Sequence, residues 1–239
     1  MGAVWKMIIS SVCGRGGRLE NLDHIIELKG GSNFHAVLVV DAYGCRQHEI
    51  ERFAAELERA SFNSVSSASD LLGRIDVDLN IRMSAVCIAK SNGIVSLSNL
   101  GDCRAYSQGG ELLTIDHTNA WDDLVALGLE PSRVGELVKK HPGRRVLKKF
   151  LKFPKPAHSA QGISFSGCGE SNYLLCTDGF WEHLDQSNLK DLTSGGCSIE
   201  EFSSGLSGAE DNYTACLVCS GLLIPDTDLG ENPRRERGV

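Results

Sequence analysis

The sequence predicts an α+β fold in which antiparallel β-sheets pack on each other and helices lie outside them. Short runs rich in valine and isoleucine occur in groups, and pairs of helical segments interrupt these groups without the regular alternation of a parallel sheet. Two Gly-containing turns, Ser91-Asn92-Gly93 and Gln108-Gly109-Gly110, separate strands of the central group, which is typical of hairpins.

Short apolar or β-branched runs predict the individual strands. Along the chain they are residues 4–12, 36–40, 84–89, 94–100, 104–107, 111–115, 162–166, 173–176 and 214–218. We interpret the four runs between residues 84 and 115 as one antiparallel meander, because each follows the previous one after a short turn.

Apolar residues at helical spacing predict the helices. The segments are 48–59, 70–79, 119–140 and 187–192. In the first of them Ile50, Phe53 and Leu57 fall on one face and charged residues on the other. The long third segment contains Pro131, which lacks a backbone donor and breaks the helix there.

The length and composition of the chain favour one folded domain. It has 239 residues, of which 41% are hydrophobic and 23% charged, close to the averages for globular proteins. We expect a single domain over 1–223 and a disordered tail over 224–239, because the tail lacks apolar periodicity. The formal net charge of −7 argues against a surface that covers nucleic acid or an anionic membrane.

The cysteines indicate a reducing compartment. There are nine, an odd number, and the one CxxC pair, Cys216 and Cys219, lies in an apolar run and has no second pair to complete a zinc site. We interpret this pair as small buried hydrophobic residues. Residues 1–10 contain one lysine and too short an apolar stretch for a signal peptide, and no window approaches the ~20 apolar residues of a membrane span. We therefore expect a cytoplasmic protein.

Aspartates recur at the ends of the predicted strands. Apolar runs lead directly to Asp41 and, after one residue, to Asp178, whereas Asp102 follows a strand and Asp211 precedes the last one. Any one of them alone is more simply a turn residue. Four in one chain favour another interpretation, because a carboxylate at the edge of a core is costly unless a cation neutralises it. Mg²⁺ and Mn²⁺ take such oxygen ligands.

The motif pattern of a known family recurs along the chain in the family's order. Its elements are residues 18–23 (RLENLD), 39–44 (VVDAYG), 99–106 (NLGDCRAY), 116–118 (DHT), 141–147 (HPGRRVL), 174–181 (LLCTDGFW) and 211–214 (DNYT). The chain thereby resembles the protein phosphatase 2C family of metal-dependent serine/threonine phosphatases, in its compact bacterial form, from Gly17 to Val218. The resemblance implies a sandwich of two antiparallel β-sheets flanked by helix pairs.

The resemblance also implies a metal centre. In it Asp41 bridges two Mn²⁺ or Mg²⁺ ions, the backbone carbonyl of Ala42 is a further ligand, and Asp178 and Asp211 complete the set. Asp102, together with Asp178, holds a third ion in bacterial-type relatives. Water activated between two ions then attacks the phosphate of a phosphoserine or phosphothreonine, so that no protein nucleophile is required.

Three further residues receive roles by the same resemblance. The guanidinium of Arg18 binds the substrate phosphate through paired donors. Asp23 and Asn212 are outer supports that orient ligands or waters. The implied partners are phosphorylated proteins and a cognate serine/threonine kinase system, with no nucleic acid and no membrane span, and the expected state is a monomer.

Departures from the motifs leave a second hypothesis open. Leu22 stands where the family often has an acidic or amide residue, Ala42 replaces a glycine, and Tyr43 occupies a position where some members have histidine. The alternative is a pseudophosphatase, a scaffold that keeps the fold and binds a phosphoprotein with little or no turnover. A GTPase or a kinase is disfavoured, because the chain lacks a Gly-rich phosphate loop with its lysine.

A basic cluster lies beside these motifs in an otherwise acidic chain. Its members are Lys139, Lys140, Arg144, Arg145, Lys148, Lys149, Lys152 and Lys155. It is either a solvated surface segment or a guide for acidic phosphopeptides. We interpret His117, in the 116–118 motif, as a cap of the turn after its strand rather than a metal ligand, because an oxygen-rich site suits harder ions than imidazole prefers.

Overall fold

The computed structural model describes residues 7–30, 34–62, 64–154, 161–165 and 171–219. Within these ranges the strands are β1 (Ile8–Gly14), β2 (Asp23–Gly30), β3 (Phe34–Tyr43), β4 (Arg82–Ser91), β5 (Ile94–Leu100), β6 (Arg104–Tyr106), β7 (Leu151–Lys152), β8 (Gln161–Phe165), β9 (Asn172–Cys176) and β10 (Tyr213–Cys219). The predicted tail 224–239 lies outside the described residues.

The helices are short, and most begin at a residue whose side chain caps them. They are α1 (Gln47–Arg59), α2 (Ala68–Arg74), α3 (Asn119–Ala126), α4 (Pro131–Leu137), α5 (Asp178–Trp181), α6 (Gln186–Ser194) and α7 (Ile199–Ser204), with a 3₁₀ turn at Val138–Lys140. Ser67, Thr118 and Ser198 each accept a hydrogen bond from a backbone amide of the first turn. No helix in the described ranges is both long and apolar enough to cross a membrane.

Two antiparallel sheets form the centre of the molecule. One has four strands in the order β1-β10-β9-β6, and the other has six, in the order β2-β3-β4-β5-β8 with β7 beside β4. Strand β3 shows how they pack: Leu38 and Val40 face the core under α1 and α2, whereas Val37 and Val39 face the core between the sheets. A strand buried on both faces requires a continuous apolar run, which is why residues 36–40 lack alternation.

The helices cover the outer faces of both sheets. Ile50, Phe53 and Leu71 of α1 and α2 pack on the six-stranded sheet. Trp121 and Leu189, from α3 and α6, pack on the four-stranded sheet. The predicted α+β class, a sandwich of two antiparallel sheets flanked by helices, is thereby confirmed.

Two local predictions are wrong in the central strand group. Strand β6 does not continue a meander but crosses to the other sheet, where Ala105 lies opposite Leu175. Residues 111–115 form no strand and contribute one isolated bridge, between Tyr106 and Leu112. Alternating apolar residues look the same whether consecutive strands share a sheet or change sheets, so the crossover left no local signal.

Two further differences from the sequence prediction concern strand β2 and the helical segment around Pro131. The strand Asp23–Gly30 was not predicted, although it pairs with β3 along its whole length. The predicted helical segment 119–140 is broken, as expected, but α3 already ends at Ala126, and Pro131 occupies the first position of α4, where a missing backbone donor costs nothing.

Gly101 is required where the chain leaves β5 for β6. Its φ is +97°, and an added Cβ would lie 2.2 Å from Ser84 Oγ and 2.8 Å from Ser84 Cα. A side chain there would be strained by the backbone and would also displace the neighbouring strand. This glycine therefore sets the approach of Asp102 to β4.

We expect Gly101→Ala to lower the free energy of unfolding by about 2–4 kcal/mol, because it combines backbone strain with a clash against β4. The matched control is Gly93→Ala, at φ +81° with nothing within 4 Å of its added Cβ. That variant should lose only the strain, about 1 kcal/mol. Urea unfolding of both variants measures the difference, and equal losses would contradict the crowding at Ser84.

Candidate active site

Antiparallel pairing places acidic residues side by side at one edge of the six-stranded sheet. Asp23 on β2 lies directly opposite Asp41 on β3, and Asp41 lies opposite Ser84 on β4. The Ser84 hydroxyl donates a 2.7 Å hydrogen bond to Asp102. Since directly opposed side chains have Cβ atoms about 5 Å apart, the register alone brings two carboxylates together.

The four-stranded sheet brings two more carboxylates to the same place. Asp178 begins α5 just after β9, and Asp211 lies just before β10, the strand that pairs with β9. An added Cβ on Gly179 would lie 1.9 Å from the carbonyl oxygen of Asn212, so only glycine allows this approach. Thr177 donates a 2.7 Å hydrogen bond to Asp23 and thereby links the two sheets.

Four of these carboxylates, all except that of Asp23, line one cavity of about 790 Å³. Of the residues proposed from the sequence, Arg18, Asp41, Ala42, Asp102, Asp178, Asp211 and Asn212 all line it. Asp23 does not; it is only 2% exposed and lies beneath, opposite Asp41. The structure therefore brings the proposed residues together, while their roles as ligands and catalytic groups stay predictions.

Burial gives the acidic side chains unusual proton affinities. Desolvation, and then the charge of Asp178, raises the pKa of Asp102 to about 8. Desolvation raises the pKa of Asp23 to about 7, although its hydrogen bond from Thr177 opposes the shift. The pKa of Asp41 is raised well above its usual value by desolvation, with Asp23 and Asp178 adding to it. Full ionisation of all these carboxyl groups, with no cation nearby, is therefore unfavourable.

The chemistry of the cluster fits divalent cations. All of its side-chain donors are carboxylate oxygens, and Asp23 Oδ1 is buried with no hydrogen-bond partner in the described part of the chain. Within the same residues, no group of three or more His, Cys, Asp or Glu side chains is arranged to hold a metal ion directly. Hard ions such as Mg²⁺ need only one or two carboxylates, since they keep several water ligands. The residues therefore suit hydrated Mg²⁺ or Mn²⁺.

Arg18 and Asp211, which the sequence assigned to different ligands, contact each other. Nε and Nη2 of Arg18 donate to the two carboxylate oxygens of Asp211 at 2.7 and 2.6 Å. The Arg18 side chain is 53% exposed, so solvent weakens this ion pair. The pairing was not predicted, because the two residues are far apart in the sequence.

Asn212 fixes the loop that carries Arg18. Its side-chain amide donates to the carbonyl oxygens of Arg15 and Glu20 at 2.8 and 3.0 Å, and its oxygen accepts from the Leu22 amide at 2.9 Å. In this structure the side chain thus organises the 15–22 loop rather than a carboxylate. The contacts of its side chain therefore concern the loop, whereas the proposed role in orienting ligands or waters stays a prediction.

A buried network supports the turn that holds Asp102. Both oxygens of Asp116 accept from Arg104, which is 1% exposed, at 2.9 and 2.7 Å. The guanidinium lies 3.6 Å from the ring centre of Trp181, whose indole N–H donates to the Asp102 carbonyl at 2.9 Å. Sequence reasoning left this network out, although Arg104 and Asp116 both occur in the quoted motifs.

His117 and the buried aromatic residues occupy structural positions. The Gly101 amide donates to His117 Nδ1 at 3.2 Å, so the imidazole caps the turn before Asp102 and not, as the sequence interpretation had it, a turn after a strand of its own. Phe180 and Trp181 are buried in the core beneath the four-stranded sheet. Cys216 is buried in β10 and Cys219 is half-buried at its end.

Comparison with known proteins shows similarity of fold rather than of sequence. No family model matches the chain, and no curated protein matches it. Among solved structures, the serine/threonine phosphatase Stp1 from Staphylococcus aureus superposes with a TM-score of 0.65 at 16% identity, covering 91% of this chain and 97% of that one.

Two further structures match to a similar extent. The serine/threonine phosphatase PstP/Ppp from Mycobacterium tuberculosis superposes with a TM-score of 0.61 at 19% identity, covering 87% of this chain and 96% of its own. The catalytic domain of PstP in complex with two manganese ions superposes with a TM-score of 0.59, at the same identity and coverage. At such identities the comparison establishes a shared fold.

The raised pKa values predict how stability depends on pH without divalent ions. Asp23 and Asp102 keep protons to about pH 7 and about pH 8 in the folded state, whereas their ordinary pKa is 3.8. The folded protein then binds more protons than the unfolded chain between those limits, so its free energy of unfolding falls as the pH rises from about 4 to about 8.

Urea unfolding in EDTA across this pH range measures the fall. Asp23→Asn should make the slope shallower, because an amide has no proton to lose. Added MnCl₂ should flatten the slope, since bound cations replace the protons. Stability that rises through this window in EDTA would show that the carboxyls are ionised and otherwise compensated.

Proposed function

We propose that this chain, whose fold is that of bacterial serine/threonine phosphatases, is a metal-dependent hydrolase that removes phosphate from phosphoserine and phosphothreonine of proteins. The observation that carries the proposal is the convergence of Asp41, Asp102, Asp178 and Asp211 on one cavity, with Arg18 beside them. Asp41 lies on β3, and the other three lie in segments next to strands β5, β9 and β10 of both sheets, so local turn chemistry does not account for their meeting.

The carboxylates are the proposed ligands of two or three Mn²⁺ or Mg²⁺ ions. Asp41, Asp178 and Asp211 would hold two of them with the carbonyl of Ala42, and Asp102 would join Asp178 at the third. When bound, such ions supply positive charge that activates water and neutralises phosphoryl oxygens. The manganese complex of PstP supports the choice of ion.

The remaining residues of the cavity would bind and orient the phosphate. Arg18 uses Nε and Nη2 for Asp211, and no described residue accepts from its Nη1, which leaves that group for a phosphate oxygen. The carboxylate of Asp211 in turn fixes the direction of the guanidinium. Desolvation raises the pKa of Tyr43 to about 12, so its hydroxyl stays protonated and can donate to the leaving oxygen.

A pseudophosphatase remains the second candidate, and the Arg18–Asp211 pair favours it. An arginine bound to a proposed metal ligand by both carboxylate oxygens competes with the ion for that ligand. If the ion pair persists, the cavity would hold a phosphoprotein without turning it over. For either function, we propose phosphorylated proteins and a cognate kinase system as partners, with the chain acting as a cytoplasmic monomer.

Asp178→Asn should abolish Mn²⁺-dependent hydrolysis of p-nitrophenyl phosphate, because it removes a carboxylate assigned to two ion positions. The matched control is Asp76→Asn, an exposed aspartate outside the cavity, which should retain wild-type rates. Circular dichroism shows whether both variants are folded. A folded wild-type protein with no Mn²⁺-dependent activity would instead support the scaffold hypothesis.

Asp41 and Arg18 should differ in what they affect. Asp41→Asn should abolish tight Mn²⁺ binding in calorimetric titrations, because its carboxylate would contribute to holding two of the proposed ions. Arg18→Ala should keep Mn²⁺ binding and lower kcat/KM by about 10²-fold to 10³-fold, the usual effect of removing one donor to a developing charge. Full metal occupancy in Asp41→Asn would refute the assignment.

A further inference from the structure

The wall of the cavity differs in character from its acidic floor. The side chains bordering the cavity include Leu19, Leu22, Tyr43, Val146, Leu147 and Phe150. Leu19 is 94% exposed and Val146 is 49% exposed, although both are large apolar residues. Isolated exposed apolar residues are common on protein surfaces. Here they are joined by further apolar side chains along one opening.

The two loops that carry Leu19 and Val146 are held in place by hydrogen bonds. Asn212 fixes the first loop, as described above. In the second, the Val146 carbonyl accepts from the Asn119 amide at 3.0 Å, and the Lys148 amide donates to the His117 carbonyl at 2.7 Å. Phe150 packs edge-on against Tyr43, with ring centres 5.9 Å apart. The apolar rim is therefore formed before any ligand binds, which lowers the entropic cost of binding.

Three of the seven described residues of the basic cluster next to this rim are engaged elsewhere. Arg144 pairs with Glu182, Lys148 pairs with Asp122, and Lys139 donates to the carbonyl of Leu184. Of the cluster residues that the structure describes, Arg145 alone borders the cavity. Most of the described cluster thus does not line the opening, although the charges of Arg145 and Arg144 oppose the rise that desolvation causes in the pKa of Asp178 on its floor.

We propose that Leu19, Val146, Tyr43 and Phe150 form a subsite for an apolar side chain next to the phosphorylated residue. The inference rests on the proposed function: when the phosphate group is bound above the acidic floor, the neighbouring residues of the peptide would lie along this rim. Apolar contact there is favourable in proportion to the area removed from water. The preferred substrate is therefore a phosphothreonine or phosphoserine segment with apolar flanks.

Matched phosphopeptides test the subsite on the full chain with Mn²⁺. The peptides are Ala-Ala-Leu-pThr-Leu-Ala-Ala, its counterpart with Glu in place of both Leu, and one with Ala at both positions. Phosphate release gives kcat and KM for each. The Leu peptide should have a KM lower than that of the Glu peptide by about fivefold or more, the effect of burying one aliphatic side chain in part.

Substitutions of Leu19 and Val146 test whether these residues cause the preference for the Leu peptide. In Leu19→Ser and in Val146→Ser, the ratio of the KM values for the Glu and Leu peptides should fall toward one. Leu127→Ser is the matched control, because Leu127 is 75% exposed and lies outside the cavity, and it should keep the wild-type ratio. A purely structural effect of a rim substitution would raise KM for all three peptides alike.

The outcomes separate this inference from the proposed function. Hydrolysis of p-nitrophenyl phosphate together with equal KM values for the three peptides would overturn the subsite and leave the phosphatase standing. A lower KM for the Glu peptide that rises with added salt would overturn it in favour of guidance by Arg145 and its neighbours. Absence of any hydrolysis by the folded wild-type protein would overturn both.

Discussion

Carboxylates held together at one edge of the sandwich, where little water reaches them, are the constraint on which the site depends. Antiparallel register sets Asp23 against Asp41, and pairing of the last two strands of the other sheet brings Asp178 and Asp211 to the same cavity. Such an arrangement is unfavourable unless protons or cations neutralise it. The raised pKa values and the proposed ions are two answers to the same electrostatic problem.

The surrounding residues hold the acidic segments in place through hydrogen bonds and close backbone contacts. Ser84, Thr177 and Trp181 bind the acidic segments through hydrogen bonds, and Gly101 and Gly179 allow backbone approaches that a side chain would prevent. The buried pair of Arg104 and Asp116 belongs to the same support. Removing one partner of such a pair would leave a buried charge uncompensated.

The two loops that carry Leu19 and Val146 give the cavity an apolar rim above its acidic floor. In the proposed function, ions held by the acidic floor would bind the phosphate group, which every phosphomonoester carries, so the floor would offer little discrimination among phosphoproteins. Leu19 and Val146 lie on loops held in place by backbone and amide hydrogen bonds. Under the same proposal, discrimination among phosphoproteins would depend on that rim.

The sequence by itself determined the fold class, most of the strands and helices, and the aspartates that meet in the cavity, because apolar periodicity and short motifs are local signals. It could not show that β6 changes sheets, since alternation is the same in either sheet. The pairing of Arg18 with Asp211, the network from Arg104 through Trp181 to Asp102, and the ion pairs of the basic cluster were decided only by tertiary structure. Each joins residues whose separation in space is set by the packing of the two sheets and their loops, which no local pattern encodes.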